Sequence, residues 1–348
     1  MFCGFCFFVL LLICSLWHTL QAGFTDFIFG SDILRSNRRV MTTNFCPEYS
    51  HSGFFFDFHT YKQHFAMNNA KLAAKSNQQQ SLVQISDNVT FGAEEIIIIG
   101  GPCAVESYEQ METVAEKLYT SPVKALRGGV YKPRTSPYAF QGMGETGLKV
   151  LAEVKDKYNL PVVTEVMAIS QIEVIAAHAD MLQVGSRNMQ NFDLLKELGR
   201  AGKPILLKRG LAATIEEFVM AAEYILSHGN SDVVLCERGI RSFDNYTRNV
   251  LDLGAVAALK QITHLPVIVD PSHAAGRREL IAPLSRAAIA CGADGLIIEC
   301  HPVPEKSVSD AQQALSLEEM IDLVYTLVPV AFSVGRKISN RKVLSRKC

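Results

Sequence analysis

Residues 266–302, PVIVDPSHAAGRRELIAPLSRAAIACGADGLIIECHP, contain two short β-branched strands separated by one amphipathic helix. The strand candidates are 266–273 and 295–302, and the helical pattern covers 278–293. Each strand is apolar over most of its length and ends in polar residues, DPSH in the first and ECHP in the second. The stretch therefore predicts one β/α repeat with polar chemistry at the carboxyl ends of its strands.

The same alternation of strands and helices extends back to about residue 95. Six further strand candidates come first, at 95–102, 123–130, 161–167, 181–188, 204–210 and 233–240. Eight β/α repeats predict an α/β fold, a closed (β/α)8 TIM barrel. A doubly wound sheet is the alternative, but it usually stops at about six strands and carries a Gly-rich nucleotide turn. GGPCAVES, after the first strand, lacks the spacing of that turn.

The segments outside the repeats are predicted to be an extension at one end and a tail at the other. We assign the catalytic barrel to 93–335, the N-terminal extension to 1–92 and a basic tail to 336–348. We expect 23–66 to be poorly ordered, 76–81 to be a linker, and regular structure to begin near Glu94. Within residues 1–22, the apolar run from Phe5 to Trp17 has the length of a signal-peptide core, but no Lys or Arg occurs before Arg35. We expect a cytoplasmic protein whose functional part begins between Met67 and Glu94, with export as the alternative.

Composition excludes some classes of function. The net charge is −1 and charged residues make up 20% of the 348, so no basic excess points to a nucleic-acid partner. Nine cysteines are thinly spread, without zinc-finger spacing. We therefore expect no disulfide scaffold, and we expect the protein to reside in a reducing compartment.

Four residues near predicted strand ends could form one metal site. Cys103 follows the first barrel strand, His273 ends the seventh, Glu299 ends the eighth, and Asp310 lies in the following loop. A barrel would bring these ends together, and a thiolate, an imidazole and two carboxylates suit a divalent transition ion: Mn²⁺, Fe²⁺, Co²⁺ or Zn²⁺. Taken alone, Cys103 could be a buried small hydrophobe and His273 could bond the backbone of its turn.

Basic side chains also collect near the strand ends. Phosphate or carboxylate groups would offset the cost of gathering such cations, and the Arg fork fits both anions. The alternative is that each cation pairs with a local acid, such as Glu165 or Glu237. The six candidates are Arg127, Lys132, Arg134, Arg187, Lys208 and Arg238.

Several motifs resemble one enzyme family over about residues 85–330. They are GPCAVES (101–107), RGGVYKPRTSPYAFQG (127–142), GSRNMQN (185–191), LLKRG (206–210), CERGIR (236–241), DPSHAAGRR (270–278) and EKSVSDAQQAL (305–315). Together they resemble the type I 3-deoxy-D-arabino-heptulosonate-7-phosphate (DAHP) synthases, in the subgroup related to 3-deoxy-manno-octulosonate-8-phosphate synthase. Residues 1–80 resemble neither regulatory domain that this subgroup often carries, so little feedback inhibition is expected.

The resemblance implies a reaction. A metal-dependent transferase would condense phosphoenolpyruvate with erythrose 4-phosphate, the first step of the shikimate pathway to aromatic amino acids. A homotetramer or homodimer without nucleic acid is expected.

The resemblance also implies roles for residues, because the motifs match position by position. Lys132, Cys103 and His273 would take part in catalysis, with Lys132 as the proton donor. The metal ligands would be Cys103, His273, Glu299 and Asp310. Phosphoenolpyruvate would be bound by Arg127, Lys132, Arg187, Lys208 and Arg238, and the aldose phosphate by Arg134 and Thr135.

Three other functions stay open on the sequence. An octulosonate-phosphate synthase would use arabinose 5-phosphate, but its loop after strand two usually resembles KANRS, whereas this chain has KPRTS. A Schiff-base aldolase would use Lys208 as its nucleophile. A non-enzymatic barrel would be expected to have lost at least one of the ligands or cations.

Overall fold

The structure is a computed structural model that describes residues 69–75, 79–134 and 136–340. Eight parallel strands close into a barrel in which each strand pairs with the next one along the chain, and the last strand pairs with the first to complete it. The predicted TIM barrel is confirmed. Its strands are β3 (Ile97–Gly101), β4 (Ala125–Arg127), β5 (Val162–Val166), β6 (Met181–Val184), β7 (Ile205–Lys208), β8 (Val233–Glu237), β9 (Val267–Val269) and β10 (Gly295–Glu299).

Helices alternate with these strands and cover the outside of the barrel. Two of the longer ones begin with capping boxes, in which Thr214 pairs with Glu217 and Ser316 with Glu319. Such boxes satisfy free backbone N–H groups in the first turn, which fixes where a helix begins. The helices are α1 (Tyr108–Tyr119), α2 (Glu145–Tyr158), α3 (Ile172–His178), α4 (Phe192–Leu198), α5 (Ile215–Leu226), α6 (Leu253–Ile262), α7 (Pro271–Ala275), α8 (Arg278–Ala290) and α9 (Leu317–Ser333).

The apolar run of β3 shows why its strand has no polar face. Ile96 and Ile98 belong to the core between barrel and helices, whereas Ile97 and Ile99 belong to a second core inside the barrel. Successive side chains of a barrel strand point alternately to its two faces. Because both faces are buried, the side chains are apolar on both, and the sequence shows no alternation of apolar and polar residues.

A β-hairpin precedes the barrel, and here the expectation from sequence is wrong. Strands β1 (Val83–Ser86) and β2 (Val89–Phe91) pair antiparallel in a stretch where regular structure was not expected before Glu94. Val83, Val89 and Phe91 are buried in the same core as the barrel interior. The two strands are too short to show a periodic pattern in the sequence, and their stability comes from packing against the barrel rather than from their own sequence.

Residues at both ends of the described chain close the same end of the barrel. The backbone N–H of Lys75 donates to Ile262 O at 2.8 Å, and that of Ile96 donates to Lys337 O at 2.8 Å. We call this amino-terminal end of the strands the bottom and the carboxyl end the mouth. Within the described ranges, no helix is long and apolar enough to cross a membrane. The apolar stretch 1–22 lies outside those ranges, as do 23–66, 76–78 and 341–348.

Candidate active site

The mouth of the barrel holds a cavity of about 400 Å³. All six predicted cations line it, together with three of the four predicted metal ligands, Cys103, His273 and Asp310. The cations that line it are Arg127, Lys132, Arg134, Arg187, Lys208 and Arg238. Residues spread over more than two hundred positions therefore meet because the carboxyl ends of parallel strands share one face of the barrel.

The four predicted metal ligands form one compact cluster. One ligand atom from each of Cys103, His273, Glu299 and Asp310 lies within 4.8 Å of all the others. Cys103 and Glu299 are buried, and His273 and Asp310 are partly exposed toward the cavity. Such a set has the size and the mixed sulfur, nitrogen and oxygen chemistry of a transition-metal site.

Cys103 occupies the wall of the cavity next to the predicted substrate residues. Its Sγ lies 3.0 Å from Lys132 Nζ, 3.2 Å from Ser309 Oγ and 3.3 Å from Asp310 Oδ2. Lys132 also donates to the backbone oxygen of Cys103 at 2.8 Å. A Cβ at Gly129 would come within 2.8 Å of that oxygen and 2.9 Å of Lys132 Cδ, so this close approach requires glycine.

Asp270 orients His273, and sequence reasoning did not single it out. Its Oδ2 lies 2.7 Å from His273 Nδ1, which leaves Nε2 facing Glu299 Oε1 at 3.1 Å. Burial alone would lower the pKa of His273, but the carboxylates of Asp270 and Glu299 raise it to about 10. A cation at Nε2 is therefore strongly favoured there, and a divalent ion would take the place of that proton.

Glu299 turns one oxygen toward positive groups, because Oε1 lies 3.1 Å from His273 Nε2 and 3.2 Å from Arg127 Nη2. Oε2 accepts a hydrogen bond from Gln313 Nε2, whereas Oε1 is buried and lacks a hydrogen bond of acceptable geometry. Burial would raise the pKa of Glu299, but the charges of His273 and Arg127 lower it. A fully buried, ionised carboxylate whose Oε1 lacks a well-aligned hydrogen bond, beside a thiol and an imidazole, fits a metal ligand.

Asp310 is held in a backbone conformation that only a few residues adopt. Its φ is 55°, in the left-handed region, where Asp is tolerated better than most residues. Its side chain pairs with Arg248 at 3.1 Å. The strain, together with this pairing, is typical of a functional position.

The cations divide into paired and free groups. Arg127 lies 3.2 Å from Glu299, and Lys208 lies 2.5 Å from Asp270. The acids in these two ion pairs thus belong to the ligand cluster or contact it, and they are not Glu165 or Glu237, which the sequence had offered as partners. Arg238 is buried with Nη1 lacking any partner, and burial lowers its pKa. Local pairing with acids therefore explains two of the six predicted cations and leaves the mouth able to bind anions.

The remaining predicted substrate residues are Arg134, Thr135 and Arg187. Arg134 donates to Phe140 O at 2.9 Å and to Ser309 Oγ at 2.8 Å, and its Nη2 is buried without a partner. Arg187 lies on the rim of the cavity and is exposed. Thr135 lies outside the described residues.

Several residues at the mouth were missed by sequence reasoning. Arg241, Arg248 and Asn249 line the cavity but come from a loop after β8 that has no periodic pattern. Of these residues, Asp270 could have been found from the sequence, because it lies three residues before His273 at the start of the same turn. Gln313 is fully buried beside Glu299, fourteen residues away in sequence.

Comparison with known proteins agrees with the family motifs. The model of the DAHP synthetase I family matches residues 72–330. The chain belongs to the DAHP synthetase I family. It is 49% identical over 269 residues to a phospho-2-dehydro-3-deoxyheptonate aldolase of Thermotoga maritima, covering 77% of this chain and 80% of that protein. The family predicted from the sequence is thus confirmed.

The chain is also similar to other proteins of known name and to solved structures. A 2-dehydro-3-deoxyphosphooctonate aldolase of Syntrophotalea carbinolica is 33% identical over 252 residues, covering 67% of this chain and 90% of that protein. The crystal structure of the Thermotoga maritima DAHP synthase aligns with a TM-score of 0.74 at 47% identity, covering 77% of this chain and 78% of that one. A truncated form of that synthase aligns with a TM-score of 0.72, covering 77% and 98%. The chain is therefore more similar in sequence to this heptonate enzyme than to this octonate enzyme.

Proposed function

We propose that the protein is a DAHP synthase, which condenses phosphoenolpyruvate with erythrose 4-phosphate and releases phosphate. One observation carries the proposal: a Cys-His-Glu-Asp cluster within 4.8 Å stands beside six cations in one cavity of a DAHP synthetase I family barrel. Two anionic substrates and a weak nucleophile call for this combination. The product opens the shikimate pathway to aromatic amino acids.

The cations bind and orient the two substrates. Arg127, Lys208 and Arg238 converge from three strand ends, and the unsatisfied Nη1 of Arg238 is available for the phosphate or carboxylate of phosphoenolpyruvate. Arg134, with its free Nη2, is available for the phosphate of the aldose. Holding both substrates in one cavity replaces a bimolecular encounter, with C3 of phosphoenolpyruvate next to the aldehyde carbon.

The cluster would hold one divalent transition ion, Mn²⁺, Fe²⁺, Co²⁺ or Zn²⁺. Its ligands would be Cys103, His273, Glu299 and Asp310, and the buried Oε1 of Glu299, which lacks a well-aligned hydrogen bond, supports this assignment. When bound, such an ion supplies Lewis-acid stabilisation of negative charge on the aldehyde oxygen.

Lys132 is the group best situated to move a proton. Its side chain is buried beside Cys103 and lines the cavity. In the proposed reaction, C3 of phosphoenolpyruvate bonds to the aldehyde carbon and Lys132 Nζ donates a proton to the aldehyde oxygen. Water adds at C2 and returns one proton to Lys132. Phosphate then leaves with the electrons of the C2–O bond and with the remaining hydroxyl proton, so the substrates plus water balance the product plus phosphate.

A Schiff-base mechanism at Lys208 is disfavoured by its surroundings. The ammonium of Lys208 is buried against the fully buried carboxylate of Asp270 at 2.5 Å. The nitrogen that would have to attack a carbonyl carbon is therefore engaged by a carboxylate. Borohydride in the presence of substrate should therefore leave the protein unmodified.

Assay of the purified protein with phosphoenolpyruvate and each aldose phosphate tests the proposed function. Erythrose 4-phosphate should be used far better than arabinose 5-phosphate, because KPRTS and the closer relatives both favour the heptulosonate reaction. A chelator should abolish turnover and a divalent ion should restore it. Equal or better use of arabinose 5-phosphate would assign the octulosonate reaction instead.

The location of the enzyme follows from the proposed chemistry. Both substrates are intracellular metabolites, and a metal-binding thiol is at risk in an oxidising compartment, so we place the enzyme in the cytoplasm. Mapping the mature N-terminus of the natural protein tests this placement, since an end just after Ala22 would indicate export. The proposed homotetramer or homodimer can be measured by light scattering.

A further inference from the structure

The loop after β8 returns to the mouth and contacts the helix that carries His273. Ile240 and Val250 pair at the base of this loop, which we call the 240–250 loop. Near its end, the N–H of Arg248 donates to Ala275 O at 2.9 Å, and the N–H of Asn249 donates to Ala274 O at 2.8 Å. The loop is thereby fastened to α7.

The side chain of Asn249 continues this attachment to a metal-cluster residue. Its Nδ2 donates to the backbone oxygen of His273 at 3.1 Å, and Asn249 is itself buried. The backbone of one predicted ligand is therefore held by the 240–250 loop.

Arg248 reaches a second ligand directly. Its Nη1 lies 3.1 Å from Asp310 Oδ1 and 3.2 Å from Gln313 Oε1. Asp310 has a φ of 55°, so its position depends on contacts that compensate for an unfavourable backbone conformation. The Arg248 contact constrains one oxygen of Asp310, while the other faces Cys103 at 3.3 Å.

Gln313 carries the connection to a third ligand. Its oxygen accepts from Arg248, and its Nε2 donates to Glu299 Oε2 at 2.5 Å. Gln313 is fully buried and does not line the cavity, so it cannot be explained as a substrate contact. Because Oε2 of Glu299 is occupied in this way, Oε1 is the oxygen left facing the cluster.

We propose that Arg248 and Gln313 are positioning residues that couple the 240–250 loop to metal affinity. They hold the carboxylates of Asp310 and Glu299 in the orientation that a cation requires, although neither residue is itself a ligand. The inference rests on the proposed metal site and deepens it. Groups that orient ligands in this way typically change metal affinity by about 10–100-fold when they are removed.

Electrostatics and positioning predict opposite signs for Arg248. Removing a positive charge next to a cation site should strengthen cation binding if charge alone matters. Removing the group that orients Asp310 should weaken binding. The sign of the change in Mn²⁺ affinity therefore separates a positioning residue from a nearby charge.

Mn²⁺ titration of the metal-free full chain, without substrate, tests the proposal. Free Mn²⁺ is followed by electron paramagnetic resonance in the wild type and in Arg248→Met, Gln313→Met and the double variant. Each single variant should bind Mn²⁺ about 10–100-fold more weakly. The double variant should be weakened by less than the product of the two, because both residues act on one connected group. Arg248→Lys, which retains a donor for Asp310, should recover part of the loss.

Arg241→Met is the matched control. Arg241 lines the same cavity from the same loop and is exposed, but its side chain makes no hydrogen bond or ion pair with the four-residue cluster. Its removal should leave Mn²⁺ affinity unchanged or slightly tighter. Circular dichroism of each variant separates loss of metal from loss of fold. The Arg248 variants decide the matter if Gln313→Met does not fold, because the Arg248 side chain is 38% exposed and its replacement is tolerable.

Two results would overturn the proposal, and they are distinguishable. Unchanged or tighter Mn²⁺ binding by Arg248→Met would leave Arg248 as a nearby charge, with the metal site intact. Failure of the folded wild type to bind any divalent transition ion would remove the metal site itself and the coupling with it.

Discussion

The two ends of the barrel treat buried charge in opposite ways. At the bottom, the fully buried Asp294 accepts from Lys260 at 2.6 Å, from the N–H of Val267 at 2.8 Å and from Arg336 at 3.2 Å. At the mouth, Glu299 is equally buried, yet one of its oxygens lacks a hydrogen bond, and so does a nitrogen of the buried Arg238. The same scaffold thus surrounds one buried carboxylate with hydrogen bonds and leaves one oxygen of the other with ion-pair contacts but no well-aligned hydrogen bond.

The two ends differ in hydrogen bonding because the bottom stabilises the fold, whereas the mouth binds ligands. Partnerless polar atoms at the bottom are few among the described residues, with Gln80 Nε2 as an example, because pairing there stabilises the fold. At the mouth they gather on three cations that line one cavity, Arg127, Arg134 and Arg238, and on Glu299, which belongs to the adjacent metal-ligand cluster. Unmet hydrogen-bonding capacity costs stability in the free protein and is recovered when a ligand binds.

Truncation at the bottom should have the largest effect. A chain that starts at Met67 should remain active, whereas one that starts at Glu94 loses β1 and β2 and exposes the barrel interior. Each buried Val, Ile or Phe contributes about 1.5–3 kcal/mol, so losing the hairpin removes much of a typical net stability of about 5–15 kcal/mol. Soluble yield and thermal unfolding of the two chains measure the difference. Equal stability would show that the hairpin only covers the surface.

Removing a metal ligand should have the next largest effect, on activity alone. Cys103→Ala should lower kcat by on the order of a thousandfold, because several kcal/mol of charge stabilisation depend on the bound ion. Bound metal, measured by elemental analysis, should fall in parallel while circular dichroism stays unchanged. Cys291→Ala, at a half-buried thiol away from the mouth, is the control and should keep both metal and activity. Full activity of the Cys103 variant in excess chelator would end the metal hypothesis.

Arg134→Ala should change substrate affinity with little effect on the fold. Charge-assisted hydrogen bonds contribute about 1.5–3 kcal/mol, so KM for the aldose phosphate should rise by roughly 10–100-fold. KM for phosphoenolpyruvate should change much less. Steady-state kinetics with each substrate varied in turn give both values. A larger rise for phosphoenolpyruvate would reverse the assigned roles of the cations.

A matched pair of cation replacements should give the smallest effects but contrast the two ends most directly. Arg238→Met should leave the free protein as stable as before or stabilise it by about 1–3 kcal/mol, because an imperfectly paired buried cation is removed. It should also raise KM for phosphoenolpyruvate.

The bottom variant Lys260→Met should do the reverse. It leaves Asp294 with one fewer partner, so stability should fall by about 1–3 kcal/mol while KM stays constant. Denaturant unfolding and kinetics on both variants test the contrast. A loss of stability in both variants would mean that the buried cation at the mouth stabilises the fold, as the one at the bottom does.

The barrel strands could be predicted because each is a short β-branched run that packs on two apolar faces. Every predicted strand candidate contains one observed strand, and the candidates usually overran it by a few residues into the loops of the mouth. The β1–β2 hairpin was missed because its few apolar residues form no period and gain their stability from the barrel interior. Tertiary packing, rather than local propensity, decides such an element.

The sequence by itself determined the repeat, the donor types and the cations, since strand length, apolar runs and motifs are local properties that follow the chain. Only the tertiary structure decided which acids pair with which cations: Asp270 with Lys208 and His273, Glu299 with Arg127, and Arg248 with Asp310. The same is true of Gln313, an unremarkable amide in DAQQAL until folding buries it against Glu299. The physical reason is that pairing depends on distances of a few ångströms between segments far apart in sequence, and closure of the barrel alone sets those distances.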